Sequence, residues 1–171
     1  VGLVDERDVE PDADGSNARL IRETLLRGAA SAARFRPLRA PGESAAAAAR
    51  RANADWRRAT AELAAVVLGL GDDGHTASLF PGARELDAAL ASPTAYAAID
   101  ASGCPGAGRW PARISLTPAG LAAARERVLL IRGADKRAVL ERALEHGDAR
   151  ELPIRAAIDL PGAPLHVYWC P

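Results

Sequence analysis

The sequence predicts an α/β protein with three layers, α/β/α, in which helices cover both faces of a mostly parallel sheet. The first observation behind this prediction is that short apolar runs alternate with segments whose apolar residues recur at helical spacing. The second is that these runs are apolar at nearly every position, which is typical of parallel strands buried on both faces. Together they favour a doubly covered, Rossmann-like sheet.

Strands are predicted wherever a short apolar run is bounded by turn residues. The clearest is 65–69, a β-branched run that ends in glycine, and 128–132 has the same character. The other predicted strands are 1–4, 113–117 and 165–169.

Helices are predicted from their caps and from apolar periodicity. Ser16 is the expected N-cap of a helix over 17–27, which Gly28 closes. A second helix is expected to begin after Ser44 and to continue through an alanine-rich segment, because alanine has the highest helix propensity. Further helical patterns cover 83–90, 118–126 and 134–147.

Composition excludes several classes of protein. The 171 residues are 49% apolar and carry 22 basic and 22 acidic side chains, which is enough for one ordinary globular domain and leaves no net charge to attract nucleic acid. Cys104 and Cys170 lie far apart with no metal-ligand spacing, so we expect no disulfide framework and a reducing, cytoplasmic setting. The longest apolar stretch, 63–70, is too short to cross a membrane. We also expect a monomer.

The beginning of the chain gives a further expectation. The sequence contains no methionine, and it opens on VGLVDE, which reads as the middle of a buried strand. Since chain ends usually lie at the surface, we expect the domain to lack its N-terminal portion.

The stretch GLGDDGH at 69–75 matches both a dinucleotide-binding fingerprint and an acid/base site. The fingerprint requires a long helix after its third glycine, but here Pro81 and Gly82 follow within one or two turns. Asp72 and Asp73 would also place negative charge where phosphates should bind. The acid/base interpretation requires a held histidine, a nearby carboxylate and backbone N–H groups, and this turn supplies all of them.

Three charged turns are predicted to meet at one edge of the sheet, since each follows the carboxyl end of a predicted strand. They are DER at 5–7, GDDGH at 71–75 and GADK at 133–136. A histidine at a helix start is often only structural. Because two other charged turns are predicted to lie beside the turn that carries this one, a catalytic role for it is favoured more strongly.

Read as far as Gly82, the motif becomes GLGDDGHTASLFPG, and it closely resembles the signature of 6-phosphogluconolactonases, which hydrolyse the lactone of 6-phosphogluconate. VDERDV at 4–9 with SN at 16–17, RISLT at 113–117 and IRGADK at 131–136 match further segments of that family in the same order. The resemblance covers nearly the whole chain and implies the α/β fold expected above.

The resemblance also implies roles for individual residues. His75 resembles the catalytic histidine and Asp73 the acid beside it, while Gly71 and Gly74 lie in the substrate-binding turn. Residues that resemble those holding the sugar phosphate are Arg7, Lys136 and, more weakly, Arg113. The implied partner is a small sugar-phosphate lactone, and neither a metal nor an organic cofactor is implied. Without the resemblance, Arg7 would be an ion-pair partner of Asp5 or Glu6, and Lys136 a solvated side chain.

Two alternatives stay open at this point. A glucosamine-6-phosphate deaminase has a similar fold and loop, but that loop continues with an acid, and ASLFP at 77–81 contains none. The second alternative is a non-catalytic sugar-phosphate binder. The feature that favours it is that no segment of this sequence resembles the first strand and the glycine-rich, serine-containing phosphate loop of the family.

Overall fold

The computed structural model describes residues 1–58 and 63–171, and the described residues form two three-stranded sheets flanked by helices. The first sheet has the order β1–β4–β3, with β1 at Asp5–Arg7, β3 at Tyr96–Asp100 and β4 at Ala112–Leu116. The second has the order β2–β5–β6, with β2 at Leu63–Leu68, β5 at Ala124–Arg132 and β6 at Leu165–Cys170. The α-helices are α1 Asn17–Thr24, α2 Ala45–Arg58, α3 Leu86–Leu90, α4 Pro118–Ala122, α5 Ala134–Leu144 and α6 Arg155–Ile158.

The α/β class with flanking helices is confirmed, while the strand directions differ in part from the prediction. The β2–β5–β6 sheet is parallel, as expected. The β1–β4–β3 sheet is antiparallel. The reason is the connection between β3 and β4, a loop over 101–111 with one short 3₁₀ turn, because a parallel pair would require a longer crossover.

Several predicted elements end elsewhere than expected. The predicted helix over 118–126 stops at Ala122, because residues from Ala124 onward pair with β2 in the parallel ladder. The predicted strand at 1–4 is displaced to β1, and Val1 is half exposed. Strand β3 was not predicted, since YAAID carries too few β-branched residues to identify it.

The helix starts follow the sequence more closely than the strands do. Ser16 caps α1, as its side chain accepts a hydrogen bond from the Arg19 backbone N–H, although the helix is shorter than predicted. Ser44 accepts a bond from the Ala47 N–H at the start of α2. The predicted extension of this helix through 59–62 lies outside the described residues.

The main core lies between the sheets and the helices. Small residues of α2, among them Ala48 and Ala52, let this helix pack closely on β3 and β4, while Val139 of α5 and Leu129 of β5 belong to the same cluster. The other face of the parallel sheet is not covered by the described residues. Val67, Leu130 and Tyr168 are 53%, 51% and 61% exposed there.

Candidate active site

A closed turn follows β2 and carries the predicted histidine. The Gly71 N–H donates to the carbonyl of His75 at 2.8 Å, and the Gly74 N–H donates to that of Gly71 at 3.0 Å. Gly74 has a φ of +86°, a conformation that side chains rarely adopt. The turn therefore has a fixed shape at the carboxyl end of a parallel strand.

Asp73 and His75 form a hydrogen-bonded pair within this turn. Asp73 Oδ1 lies 2.6 Å from His75 Nδ1 and accepts a second bond from the His75 backbone N–H at 3.1 Å. An ionised carboxylate only accepts hydrogen bonds, so Nδ1 carries a ring proton, and the lone pair of a neutral imidazole held in this way is on Nε2. Phe80 packs against the imidazole with 4.3 Å between ring centroids.

The electrostatics of the pair favour an ionised Asp73. Burial raises the pKa of this carboxyl group, but hydrogen bonds from the ring and the backbone of His75 outweigh burial, and the net pKa lies below its ordinary value. The carboxylate is therefore negatively charged at neutral pH and holds the imidazole in one tautomer.

His75 of this pair faces a cavity of about 520 Å³, which the three charged turns line together. His75 and Gly71 contribute from the turn after β2, Arg7 from the end of β1, and Lys136 from the start of α5. Further lining residues are Asp5, Asn17, Phe80, Gly106, Arg113 and Arg132. The structure thus brings together almost all of the residues that the sequence singled out.

Asp73 and Gly74 are the exceptions, since neither is among the residues that line the cavity. A β-carbon at Gly74 would collide with the side chain of Leu152. The Gly74 carbonyl accepts a hydrogen bond from the Ile154 N–H at 3.0 Å. Gly74 is therefore a turn and packing residue, whereas Gly71 forms part of the cavity wall.

Arg7 is held in place by the start of α1. Its Nη1 donates to the carbonyl of Gly15 at 2.7 Å and to Asn17 Oδ1 at 2.9 Å. The guanidinium also lies over the ring of Trp110, 5.5 Å from its centroid. These contacts replace the ion pair with Asp5 or Glu6 that was the simpler interpretation of its sequence position.

Glu6 was not singled out from the sequence, yet it fixes this region. Its buried carboxylate accepts bonds from the backbone N–H groups of Arg7, Asn17 and Ala18 at 2.7–2.8 Å, and from the Ser16 hydroxyl at 3.2 Å. It ties β1 to the N-terminus of α1. The sequence signal was present as an acidic residue between two residues that line the cavity, but nothing local identified its partner.

Arg113 and Lys136 line the cavity in different ways. Arg113 is buried, and it donates to the carbonyls of Ala107 and Trp110 at 2.8 and 2.5 Å. Burial lowers the pKa of its guanidinium, while Asp5 opposes that shift. Lys136 is more open, and its Nζ donates to the carbonyl of Leu70 at 2.5 Å. Arg113 therefore supports the wall, and Lys136 presents charge to the interior.

Metal-ligand clusters and membrane-spanning helices are both absent from the part of the chain that the structure describes. Within residues 1–58 and 63–171, no three histidine, cysteine, aspartate or glutamate side chains gather as metal ligands would. No helix in these ranges has both the length and the apolar character to cross a membrane.

The fold and the cavity define this chain as an α/β protein with an acid–base pair at the carboxyl end of a parallel strand, beside a cationic pocket. Residues 1–169 match the family described as glucosamine-6-phosphate isomerases/6-phosphogluconolactonase. The chain belongs to this family.

Curated relatives agree with the family assignment. The chain is 52% identical over 170 residues to a 6-phosphogluconolactonase of Xylella fastidiosa (strain Temecula1), covering 99% of this chain and 70% of that protein. It is 44% identical over 171 residues to a 6-phosphogluconolactonase of Rhizobium meliloti (strain 1021), covering 100% of this chain and 72% of the relative.

Solved structures confirm the fold. The crystal structure of a 6-phosphogluconolactonase from Shewanella baltica OS155 superposes with a TM-score of 0.89 at 38% identity, over 98% of this chain and 70% of that one. A monomeric glucosamine-6-phosphate deaminase superposes with a TM-score of 0.72 at 18% identity, over 98% of this chain and 70% of that one, and shares the fold alone.

Proposed function

We propose that this chain hydrolyses 6-phospho-D-glucono-1,5-lactone to 6-phosphogluconate, the lactone-opening step of the oxidative pentose phosphate pathway. The observation that carries the proposal is the Asp73–His75 pair, 2.6 Å apart, whose imidazole lines a cavity together with Arg7 and Lys136. Relatives at 52% and 44% identity are named for this activity, which supports the same substrate class here.

In the proposed reaction, His75 acts as a general base. Its Nε2 takes a proton from a water molecule as the water oxygen attacks the lactone carbonyl carbon, and a tetrahedral oxyanion forms. The intermediate collapses, the bond to the ring oxygen breaks, and the imidazolium returns its proton to that leaving oxygen. Asp73 stays ionised throughout and stabilises the imidazolium, in agreement with its lowered pKa.

The cations of the cavity supply binding energy for the anionic substrate. Lys136 lies in the first turn of α5, a helix of 11 residues, so its ammonium group and the helix N-terminus offer positive charge at the same place. We assign the phosphate to this end of the cavity. Arg7, which lines the same cavity, is assigned to the sugar oxygens, and Arg113 and Gly71 are further parts of the cavity lining.

The two alternatives require different features of the site. A deaminase requires a further acid in the loop after the histidine, and residues 77–81, ASLFP, supply no carboxylate. A non-catalytic binder requires only the cationic cavity and gives no role to a histidine whose tautomer is fixed by a carboxylate. The missing loop acid therefore disfavours the deaminase, and the hydrogen-bonded pair disfavours the binder.

The test compares lactone hydrolysis by the parent chain with that of His75→Ala, after subtraction of the spontaneous rate. Loss of the base should lower kcat by about 10²–10⁴ and leave affinity for 6-phosphogluconate nearly unchanged. His146→Ala is the matched control, since His146 is exposed at the end of α5, and it should retain full activity. Ammonia release from glucosamine 6-phosphate, or product binding without turnover in the parent, would refute the proposal.

A further inference from the structure

The loop between β3 and β4 closes over the Asp73–His75 pair, and Gly106 is its point of contact. A β-carbon added at Gly106 would overlap Asp73 Oδ2 and would lie 3.1 Å from His75 Nδ1. Gly106 is 31 residues beyond His75 in the chain, and the glycine-rich turn that carries the pair does not include it. The close approach is therefore a tertiary contact.

Gly71 meets the same pair within its own turn. A β-carbon there would overlap His75 Nδ1 and would lie 2.7 Å from Asp73 Oδ1. The α-carbons of two glycines thus face the carboxylate of Asp73: Gly71 lies near Oδ1 and Gly106 lies near Oδ2. No side chain could replace either glycine without moving the pair.

The loop cannot easily retreat from this contact. Arg113 donates from Nη2 to the carbonyl of Ala107 at 2.8 Å and from Nε to that of Trp110 at 2.5 Å. Trp110 in turn packs on Gly15, where a β-carbon would collide with the indole ring. Ala107 is buried in the small apolar cluster that contains Phe80. The chain on the C-terminal side of Gly106 is therefore fixed.

Asp73 itself shows why the contact matters. Its Oδ1 is held by two hydrogen bonds from His75, but its buried Oδ2 has no hydrogen-bond partner among the described residues. Packing against Gly106 is the contact that restrains this oxygen. A carboxylate held on one side by bonds and on the other by packing keeps Oδ1 directed at His75 Nδ1.

We propose that Gly106 is a positioning residue for the reaction: it lets the β3–β4 loop close on Asp73 and thereby keeps the carboxylate oriented toward His75. This inference rests on the proposed hydrolysis and deepens it. A methyl group at 106 would rotate Asp73 or lift the loop, and the bond that fixes the imidazole would lengthen. Small misplacements of catalytic groups cost up to about 10²-fold in rate.

The test is Gly106→Ala, with Gly2→Ala as the matched control. Gly2 also has an ordinary φ, but a β-carbon there would meet no atom within 4 Å, and it lies outside the cavity. Gly106→Ala should lower kcat by about 10- to 100-fold with little change in KM, and Gly2→Ala should match the parent.

A double-mutant cycle separates positioning from general damage. In an Asp73→Ala background the carboxylate is already gone, so Gly106→Ala should cause little further loss of kcat. Equal losses in both backgrounds, or no loss in the parent, would overturn the inference.

A readout independent of turnover distinguishes failure of this inference from failure of the proposed function. Ring ¹⁵N chemical shifts of His75 report which nitrogen carries the proton; we expect the Nδ1–H tautomer in the parent and a mixture in Gly106→Ala. If the parent and Gly106→Ala differ in tautomer as expected but the parent does not hydrolyse lactone, the function alone is refuted. An active parent with identical spectra in both proteins would refute the positioning role alone.

Discussion

At the scale of single residues, the cations of the cavity differ in how many of their donors are already used. The Arg113 guanidinium donates to loop carbonyls, and Arg7 donates from Nη1 to Gly15 and Asn17. Lys136 donates one hydrogen bond, to the carbonyl of Leu70, and an ammonium group has three donors. Lys136 therefore keeps donors free for an anionic substrate group.

Lys136→Ala should consequently raise KM for the phosphorylated lactone by about 10- to 100-fold, since a charge-assisted hydrogen bond is worth about 1.5–3 kcal/mol. The effect on an unphosphorylated lactone should be small. Arg137→Ala is the matched control, because Arg137 is the next residue but bonds to Glu141 and lies over Trp169. Steady-state kinetics on both lactones provide the measurement, and equal KM changes for the two substrates would contradict the phosphate assignment.

Sequence reasoning reached the residues whose partners are close along the chain. Asp73 and His75 are two positions apart on one turn, so their pairing could be predicted from local geometry and from the family motif. Gly106 and Glu6 could not be assigned in the same way, because their significance depends on tertiary contacts with Asp73 and with α1. Several glycines in 101–111 did signal a close backbone approach somewhere in that loop, but not its target.

At the scale of elements, the junction of β1 and α1 is organised by one buried carboxylate. Glu6 accepts hydrogen bonds from three backbone N–H groups. Two of them lie in the first turn of α1, where backbone N–H groups have no acceptor within the helix. The same junction sets Asn17, which holds Arg7 at the cavity. A structural acid thus connects secondary structure to the site without lining the cavity itself.

Glu6→Ala should therefore lower the free energy of unfolding by about 3 kcal/mol or more, because several buried donors lose a charged acceptor. Urea unfolding followed by circular dichroism measures this loss. Glu23→Ala is the control: Glu23 is an exposed acid on the same helix that pairs with Arg19, and its removal should change stability far less. Equal losses for the two variants would show that Glu6 does not anchor the junction.

The elements also show where the sequence was insufficient. Caps at Ser16 and Ser44 placed two helix starts, because a cap is decided by a few neighbouring residues. The end of α4 was missed because Ala124 and Glu126 belong to a strand through pairing with β2, a contact distant in sequence. Strand β3 was not predicted for the same reason, because its strand conformation depends on pairing with β4 and not on its composition.

At the scale of the whole molecule, the two faces of the parallel sheet have different environments. Leu129 and Leu130 are neighbours on β5 and point to opposite faces, since side chains alternate along a strand. Leu129 is fully buried in the main core, whereas Leu130 is 51% exposed beside Tyr168. The strongly apolar sequence of β5 predicted burial on both faces, and the structure of the described residues shows it on one.

This asymmetry yields a matched pair of substitutions within one strand. Leu129→Ala should lower the free energy of unfolding by about 2–5 kcal/mol, because it removes buried methyl groups and leaves a cavity in the core. Leu130→Ala should cost less than about 1 kcal/mol, since the side chain already contacts solvent over half its surface. Urea unfolding of the parent and both variants provides the measurement, and equal losses would mean that the face carrying Leu130 is covered in solution.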